Sequence, residues 1–263
     1  MTPGIAEILG QFDLIGIVEL RENLEDLQRV LRILGPYWRA VYSDMVPDAG
    51  GNRERIAYVF DKRAVVFNGL ASAAFAARKK KGDEYPAVDW WRPPYVASFR
   101  SGSFDFVVLT AHIRWGSKGE QGRVGELTKL AEWVERKHQS EYAEDKDLFV
   151  MGDFNIPGAE GPAFKAVTSH GLVMPRALRE GTFGSNLEKD KRYDQILHLP
   201  QYPENFINSG GVLDYYAGDH KPLFAKLDKT KFTYQLSDHL PLWVQVNTDV
   251  AGRKLDQLIQ SKE

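Results

Sequence analysis

Short apolar runs that stop abruptly at a polar residue mark the candidate strands of this chain. Residues 12–18 end at Glu19, and residues 104–111 end at His112. Runs of this kind are typical of buried strands that present polar side chains at a sheet edge. The sequence SGS at 101–103 predicts an antiparallel hairpin on either side of it. Further strands are predicted at residues 37–42, 56–60, 64–67, 95–100, 148–151, 192–199 and within 236–246.

Apolar residues at helical spacing predict helices between these strands. Residues 24–34 place leucines and a valine on one face, Asn23 precedes them as a candidate N-cap, and Gly35 follows them. Residues 70–84 are alanine-rich, which favours a further helix. The remaining helices are predicted at residues 3–11, 127–142, 162–170 and 250–260. All-β and layered α/β folds of this size commonly form one domain.

Titratable side chains lie at several of the predicted strand ends and strand starts. In an antiparallel sheet, the end of one strand and the start of its neighbour lie at the same edge. Taken singly, a strand-terminal Asp often forms a turn and a lone His often lies at the surface. Taken together, six side chains are expected to share one rim, namely Glu19, His112, Asp153, Asp194, Asp238 and His239.

The stretch LFVMGDFNIPG at residues 148–158 brings an acid and an amide into one loop. Asp153 can hold a proton or a metal-bound water, and Asn155 can donate its amide hydrogens to an anionic oxygen. An Asx-type turn is the alternative interpretation of this pair. Carboxylates in a chain without cysteine favour Mg²⁺ or Mn²⁺, and two histidines titrate near neutral pH. The predicted chemistry is metal-assisted hydrolysis of a phosphate ester by water.

Composition narrows the class of protein. A chain of 263 residues that is 43% hydrophobic can bury a core of one domain, and it lacks both cysteines and an apolar segment long enough to span a bilayer. The first residues carry no secretory signal, so we expect a cytoplasmic location. We also expect a monomer that does not bind membranes. The 34 basic and 36 acidic residues nearly cancel, so any affinity for polyanions must be local.

Five short motifs occur in an order that resembles the endonuclease/exonuclease/phosphatase superfamily over nearly the whole chain. They are GDFN at 152–155, SDH at 237–239, the Glu after the first apolar strand, YDQI at 193–196 and TAH at 110–112. The segment NRERIAYVF and the histidine of TAH resemble the deoxyribonuclease I branch. The resemblance implies a four-layer α/β sandwich of two packed mixed, largely antiparallel sheets flanked by helices. It implies one domain over 1–263, with the site at one end.

The resemblance also implies roles for individual residues. Glu19 resembles the metal-binding glutamate, and Asp238 a carboxylate on the metal side. Asp153 would orient or deprotonate the attacking water, and Asn155 would bind a phosphoryl oxygen. The resemblance does not fix the number of metal ions.

Two acid–histidine pairs are implied as well. Asp194 resembles the acid that orients His239, and Glu54 resembles the acid paired with His112. Both histidines would contact the scissile phosphate as general acid or base, and which one is the base stays open.

Arginines provide candidate contacts to phosphate. Arg55 and Arg92 are predicted to bind phosphate, because a guanidinium group can donate two parallel hydrogen bonds to one phosphate group. Arg55 could equally pair with an acid in its loop. The four cations at 78–81 are expected to be solvated, the alternative being a phosphate contact.

One expected segment is missing from the resemblance. The superfamily normally begins with a strand that carries an Asn, and nothing ahead of Ile5 matches it. We therefore hypothesise that Met1 is not the natural start and that an upstream strand completes the sheet. The cysteines of secreted deoxyribonuclease I are also absent, which fits either an intracellular relative or simply a different, bacterial-type relative.

The function expected from sequence is Mg²⁺- or Mn²⁺-dependent hydrolysis of DNA by an endonuclease with low sequence specificity. RNA and small phosphate esters remain possible substrates, because the fold supports several chemistries. The alternatives are a phosphatase, a lipid or inositol phosphodiesterase, and a degenerate DNA-binding relative without activity.

Overall fold

The computed structural model describes residues 2–45, 53–75, 90–116, 118–200, 205–216, 221 and 224–260. Its helices are α1 Thr2–Leu9, α2 Glu25–Leu34, α3 Val124–Gln139, α4 Pro162–Thr168, α5 Arg176–Glu180, α6 Lys229–Gln235 and α7 Val250–Gln260. Its strands are β1 Leu14–Leu20, β2 Trp38–Tyr42, β3 Arg55–Asp61, β4 Val66–Ala73, β5 Tyr95–Ser101, β6 Phe104–His112, β7 Leu148–Asp153, β8 Asp194–His198, β9 Phe206–Val212 and β10 Leu242–Val246. A 3₁₀ turn, Glu120–Arg123, leads into α3.

A five-stranded mixed sheet forms the centre of the fold. Its order is β4-β5-β6-β7-β8, with β6 and β7 parallel and the other neighbours antiparallel. The strands β1-β3-β2 form a second, antiparallel sheet, and β9 and β10 form an antiparallel pair. The predicted hairpin is present as β5 and β6.

Side chains on the two faces of the central sheet define four layers. On one face, α3 and α4 bury residues such as Leu130 and Val167 against the sheet. On the other face, aromatic residues such as Tyr58 and Phe99 pack between the central sheet and both smaller sheets. Behind β1 and β3, α2 buries Leu27. The predicted α/β sandwich is confirmed, with a second sheet layer that consists of a three-stranded and a two-stranded part.

The strand β1 approaches the central sheet closely at Gly16. A Cβ atom there would lie 2.7 Å from Met151 Cε and 3.0 Å from Thr110 Oγ1. Those two residues belong to the parallel pair β6 and β7, so the lack of a side chain at Gly16 lets β1 cross directly over them. The close crossing places the end of β1 beside the ends of β6 and β7.

Some predicted elements were wrong or missing. The predicted helix over 70–84 fails in its first part, because Leu70 to Ala73 continue the strand β4. Pairing with β5, including Ala71 with Ala97, overrides the helical preference of alanine. Residues 76–89, including the cations at 78–81, lie outside the described residues. The elements α5, α6 and β9 were not predicted.

The question of a strand before Ile5 stays a prediction. Within the described ranges, β1 pairs with β3 alone and β10 pairs with β9 alone, so each strand has one unpaired edge. None of the helices in these ranges combines the length and the apolar character that a bilayer crossing requires.

Candidate active site

Three titratable residues lie in one row across the rim of the central sheet. His112 ends β6 beside Asp153, which ends β7, and Asp153 in turn lies opposite Asp194, which begins β8. Gly152 allows β6 and β7 to lie close together here, since a Cβ atom in its place would lie 2.1 Å from the Ala111 carbonyl oxygen. Its φ of +134° also favours glycine. The pairing register therefore fixes the spacing of the row.

Glu19 reaches this rim through an irregularity in β1. The sequence predicted that this strand ends at Glu19, but pairing with β3 resumes at Leu20 after a register shift. Glu19 lies in the left-handed region with φ +58°, which is uncommon for a residue other than glycine. Bulges of this kind redirect side chains near functional sites. Here the bulge brings Glu19 Oε1 to 3.7 Å from His112 Nε2.

A buried carboxylate connects His112 to an arginine. Glu54 is only 4% exposed, and its Oε2 lies 3.2 Å from His112 Nδ1 and 3.1 Å from Arg92 Nη2. The positive charge of Arg92 compensates the buried carboxylate. Glu54 therefore occupies the Nδ1 side of His112, and the Nε2 side faces Glu19 and Asp153, whose Oδ2 lies 3.8 Å away.

A second acid–histidine pair lies at the other end of the row. His239 Nδ1 donates a hydrogen bond of 2.7 Å to Asp194 Oδ2, and Nε2 makes no hydrogen bond to the residues that the structure describes. Burial lowers the pKa of His239, but the hydrogen bond and charge of Asp194, with the charge of Asp153, outweigh burial and raise this pKa to about 9. Tyr193 stacks on the imidazole with a centroid distance of 5.8 Å.

Asp153 and Asn155 form the turn that was the alternative interpretation, and they form it inside the site. The Asn155 backbone N–H donates to Asp153 Oδ1 at 2.8 Å, and Asn155 Nδ2 donates to the Ile113 carbonyl at 2.7 Å. Burial, followed by the charge of Asp194, raises the pKa of Asp153 to about 6, although His239 partly offsets these effects. Asp153 is thus a buried carboxylate that titrates close to neutral pH.

Among the residues that the structure describes, two groups of three side chains could hold a metal ion. Their potential ligand atoms lie within 4.8 Å of one another, and the groups are Glu19 with Glu54 and His112, and Asp153 with Asp194 and His239. Carboxylate oxygens with one imidazole, in a chain without cysteine, fit a divalent cation such as Mg²⁺ or Mn²⁺. Asp238 joins neither group, although its charge contributes to the raised pKa of His239.

The two predicted phosphate-binding arginines differ in position. Arg92 contacts Glu54 and so lies beside the rim. Arg55 donates from Nη1 to the Ser43 carbonyl at 2.9 Å and lies 3.2 Å from Asp44 Oδ1. Arg55 therefore pairs with a loop acid, which was its alternative interpretation. The phosphate-binding roles of both arginines stay predictions, as do the catalytic and binding roles of the other site residues.

The structure adds a charged residue that the sequence argument missed. Arg123 is 3% exposed, and the carboxylates of Asp153 and Glu120 partly offset the lowering of its pKa by burial. Its guanidinium Cζ lies 4.4 Å from the centre of the Trp115 ring. The only sequence signal was an arginine in the glycine-rich loop that follows TAH.

Comparisons with known proteins place the fold. No family model and no curated protein matched the chain. A solved endonuclease/exonuclease/phosphatase family protein from Bacteroides thetaiotaomicron is similar, with 17% identity over 92% of this chain and 87% of that one and a TM-score of 0.60. The mannosyl-6-phosphatase of the same organism has 17% identity over 93% and 90%, with a TM-score of 0.60. An AP endonuclease from Archaeoglobus fulgidus has 16% identity over 95% and 93%, with a TM-score of 0.58. At such identities the shared property is the fold.

The raised pKa of His239 predicts how stability depends on pH without metal. Because the folded pKa of about 9 exceeds the ordinary value of 6.5, the stabilisation from this group is complete below pH 6.5 and is lost as pH rises to about 9. Melting temperature in chelator should therefore fall across this range. The variant His239→Gln should show a smaller fall. An equal fall in both proteins would contradict the assigned proton on His239.

Proposed function

We propose that this chain, which has the fold of the endonuclease/exonuclease/phosphatase superfamily, is a divalent-metal-dependent phosphodiesterase that cleaves DNA with low sequence specificity. The observation that supports the proposal most is the row of His112, Asp153 and Asp194, extended by Glu19 and His239. Acids and histidines held this closely, with no cysteine, suit hydrolysis of a phosphate ester.

Asp153 and His239 supply the proton transfers of the proposed reaction. With a pKa of about 6, Asp153 is largely ionised at neutral pH, and it can accept a proton from the attacking water. With a pKa of about 9, His239 holds a proton that its Nε2 can donate. The water oxygen forms a new bond to phosphorus, the ester P–O bond breaks, and the departing oxygen takes the proton from His239.

Other residues position these two groups. Asp194 fixes the imidazole of His239 through Nδ1, and the Asn155 backbone N–H holds Asp153 Oδ1. His112 lies at the other end of the row, where it can donate a hydrogen bond, and Arg92 lies beside it with its charge paired with Glu54. This arrangement stabilises negative charge on the phosphoryl oxygens.

Glu19 is the best candidate ligand for the metal. Its side chain is 61% exposed at the rim, whereas Glu54 is committed to His112 and Arg92. When bound, a divalent cation would neutralise charge on the phosphate and favour attack by water. The resemblance adds Asp238 on the same side.

DNA is the proposed substrate because the cations near the rim are local. The formal net charge of the chain is −2, so bulk attraction cannot hold a polyanion. Arg114 is exposed two residues after His112, Arg92 lies beside the rim in a pair with Glu54, and Arg123 is buried near Asp153. An AP endonuclease among the similar folds agrees with this choice, and the mannosyl-6-phosphatase supports a small phosphate ester as the second candidate.

Salt dependence separates the two substrate classes. We expect nicking of supercoiled plasmid with Mg²⁺ to fall at least about tenfold between about 50 and 200 mM salt, because phosphate contacts release counterions. Hydrolysis of bis(p-nitrophenyl) phosphate, measured in the same buffers, should change far less. Plasmid nicking at equal rates in low and high salt would contradict a polymer substrate. Activity on small esters alone would favour the phosphatase alternative.

A further inference from the structure

An exposed indole lies at the His239 end of the rim. Trp115 is 56% exposed. Its ring packs edge to face against Tyr193, with ring centroids 5.5 Å apart and an interplanar angle of 89°. Tyr193 in turn stacks on His239 at 5.8 Å with an angle of 26°. Aromatic contacts therefore lead directly from the proposed proton donor to a solvent-exposed aromatic surface.

Arg123 supports this indole from the protein side. Its Cζ lies 4.4 Å from the Trp115 ring centre, within the range of a cation–π interaction. Its Nε and Nη2 are buried and make no hydrogen bond within the part of the chain that the structure describes. Buried nitrogen atoms without a hydrogen bond are costly, and such atoms call for a functional explanation. Arg123 lies over the Trp115 ring, and the carboxylates of Asp153 and Glu120 attract its charge.

A second exposed indole lies near the other acid–histidine pair. Trp91 is 42% exposed, and Arg114 lies over its ring at 3.8 Å. Trp91 directly precedes Arg92, which contacts Glu54 of the site. Trp91 therefore adds a second exposed aromatic ring next to a residue that contacts the site, and a bound chain of nucleotides could use both rings.

We infer that Trp115 stacks on an unpaired nucleobase next to the scissile phosphate, and that Arg123 is the positioning residue that holds the indole for it. The inference rests on the proposed function and makes it more specific. Stacking requires an open base face, which a paired duplex does not present, so single-stranded or locally open DNA should bind best. The preference should be independent of base identity, because every base has an aromatic face.

The test compares two short single-stranded oligonucleotides in chelator, where no hydrolysis is expected. One carries ordinary bases, and the other carries an abasic sugar at each position. Trp115→Ala should weaken binding of the ordinary oligonucleotide about tenfold, and leave the abasic one nearly unchanged. Trp115→Phe should retain most of the affinity. Tyr142→Ala removes another exposed aromatic residue, 91% exposed in the turn after α3, and should have no effect.

Arg123 is tested by the same ratio of affinities. Arg123→Lys should reduce the preference for the ordinary over the abasic oligonucleotide, and melting temperatures verify that each variant is folded. The inference is overturned if Trp115→Ala leaves both affinities unchanged, lowers them equally, or if the wild type does not distinguish the two ligands. Plasmid nicking by the wild type with Mg²⁺ tests the proposed hydrolysis separately, so the two ideas can fail independently.

Discussion

Replacing His239 by alanine should lower kcat for phosphodiester hydrolysis at least about a hundredfold, which is the usual effect of losing a positioned acid or base. The variant loses the ring that Asp194 holds at 2.7 Å and the proton that its raised pKa retains at neutral pH. The side chain lies at the rim rather than in a main hydrophobic cluster, so the variant should still fold. Its melting temperature at neutral pH should be lower than that of the wild type, because it loses the stabilisation that protonated His239 provides.

Asp153→Asn should have an effect of the same size, because the amide cannot accept a proton from water. Combined with His239→Ala, it should cost much less than the product of the two single effects, as expected for groups that act in one step. His170→Ala is the matched control. His170 Nδ1 lies 2.7 Å from Glu135 Oε2, and this pair is not part of the row. A fully multiplicative loss would contradict a shared site, and so would an equal loss in the His170 variant.

Removal of divalent metal should abolish hydrolysis, and Mg²⁺ or Mn²⁺ should each restore it. Oxygen ligands of the kind that Glu19 offers accept both ions. Glu19→Gln should raise the Mg²⁺ concentration for half-maximal activity at least about tenfold, because losing a ligand or its support typically has effects of this order. Glu22→Gln is the matched control, since this nearby exposed acid pairs with Arg53 instead. Full activity in excess chelator would rule out the metal-dependent mechanism.

Asp238→Asn distinguishes the resemblance from the geometry. The resemblance places Asp238 on the metal side, whereas the structure leaves it outside both groups of potential ligands. A shift in Mg²⁺ dependence as large as that of Glu19→Gln would support the resemblance. An unchanged Mg²⁺ dependence would favour the groups seen at the rim.

The sequence predicted the rim because strand topology leaves few alternatives. Two apolar runs end at His112 and Asp153, and a third begins near Asp194. Once these strands are neighbours in one sheet, the three polar residues lie at the same edge. The structure places these three residues side by side in register. The four-layer sandwich was implied by the resemblance, whereas the apolar pattern indicated only where strands and helices lie.

Features that depend on tertiary contacts could not be predicted. Nothing in LIGIVEL indicates the left-handed conformation at Glu19, because the bulge arises only when β1 pairs with β3. The small residues of β4 favour helix in isolation, and only pairing with β5 makes them a strand. Glycines in β9 weaken its strand signal in the same way.

The sequence also could not predict which acidic residue each arginine contacts. Arg55 and Arg92 offer the same guanidinium chemistry, and the sequence does not tell which of them lies beside the rim. Arg123 gave still less indication, because its importance rests on burial and on its position beneath Trp115. These properties exist only in the folded chain.

The central claim is that the rim is a metal-dependent phosphodiesterase site. The most direct measurement is nicking of supercoiled plasmid by wild-type protein and by His239→Ala, purified in parallel, with Mg²⁺ and with chelator. The account predicts open-circular product from the wild type with Mg²⁺, and little or none from the wild type in chelator or from the variant. Absence of nicking by the wild type with Mg²⁺, or equal nicking by both proteins, would contradict it.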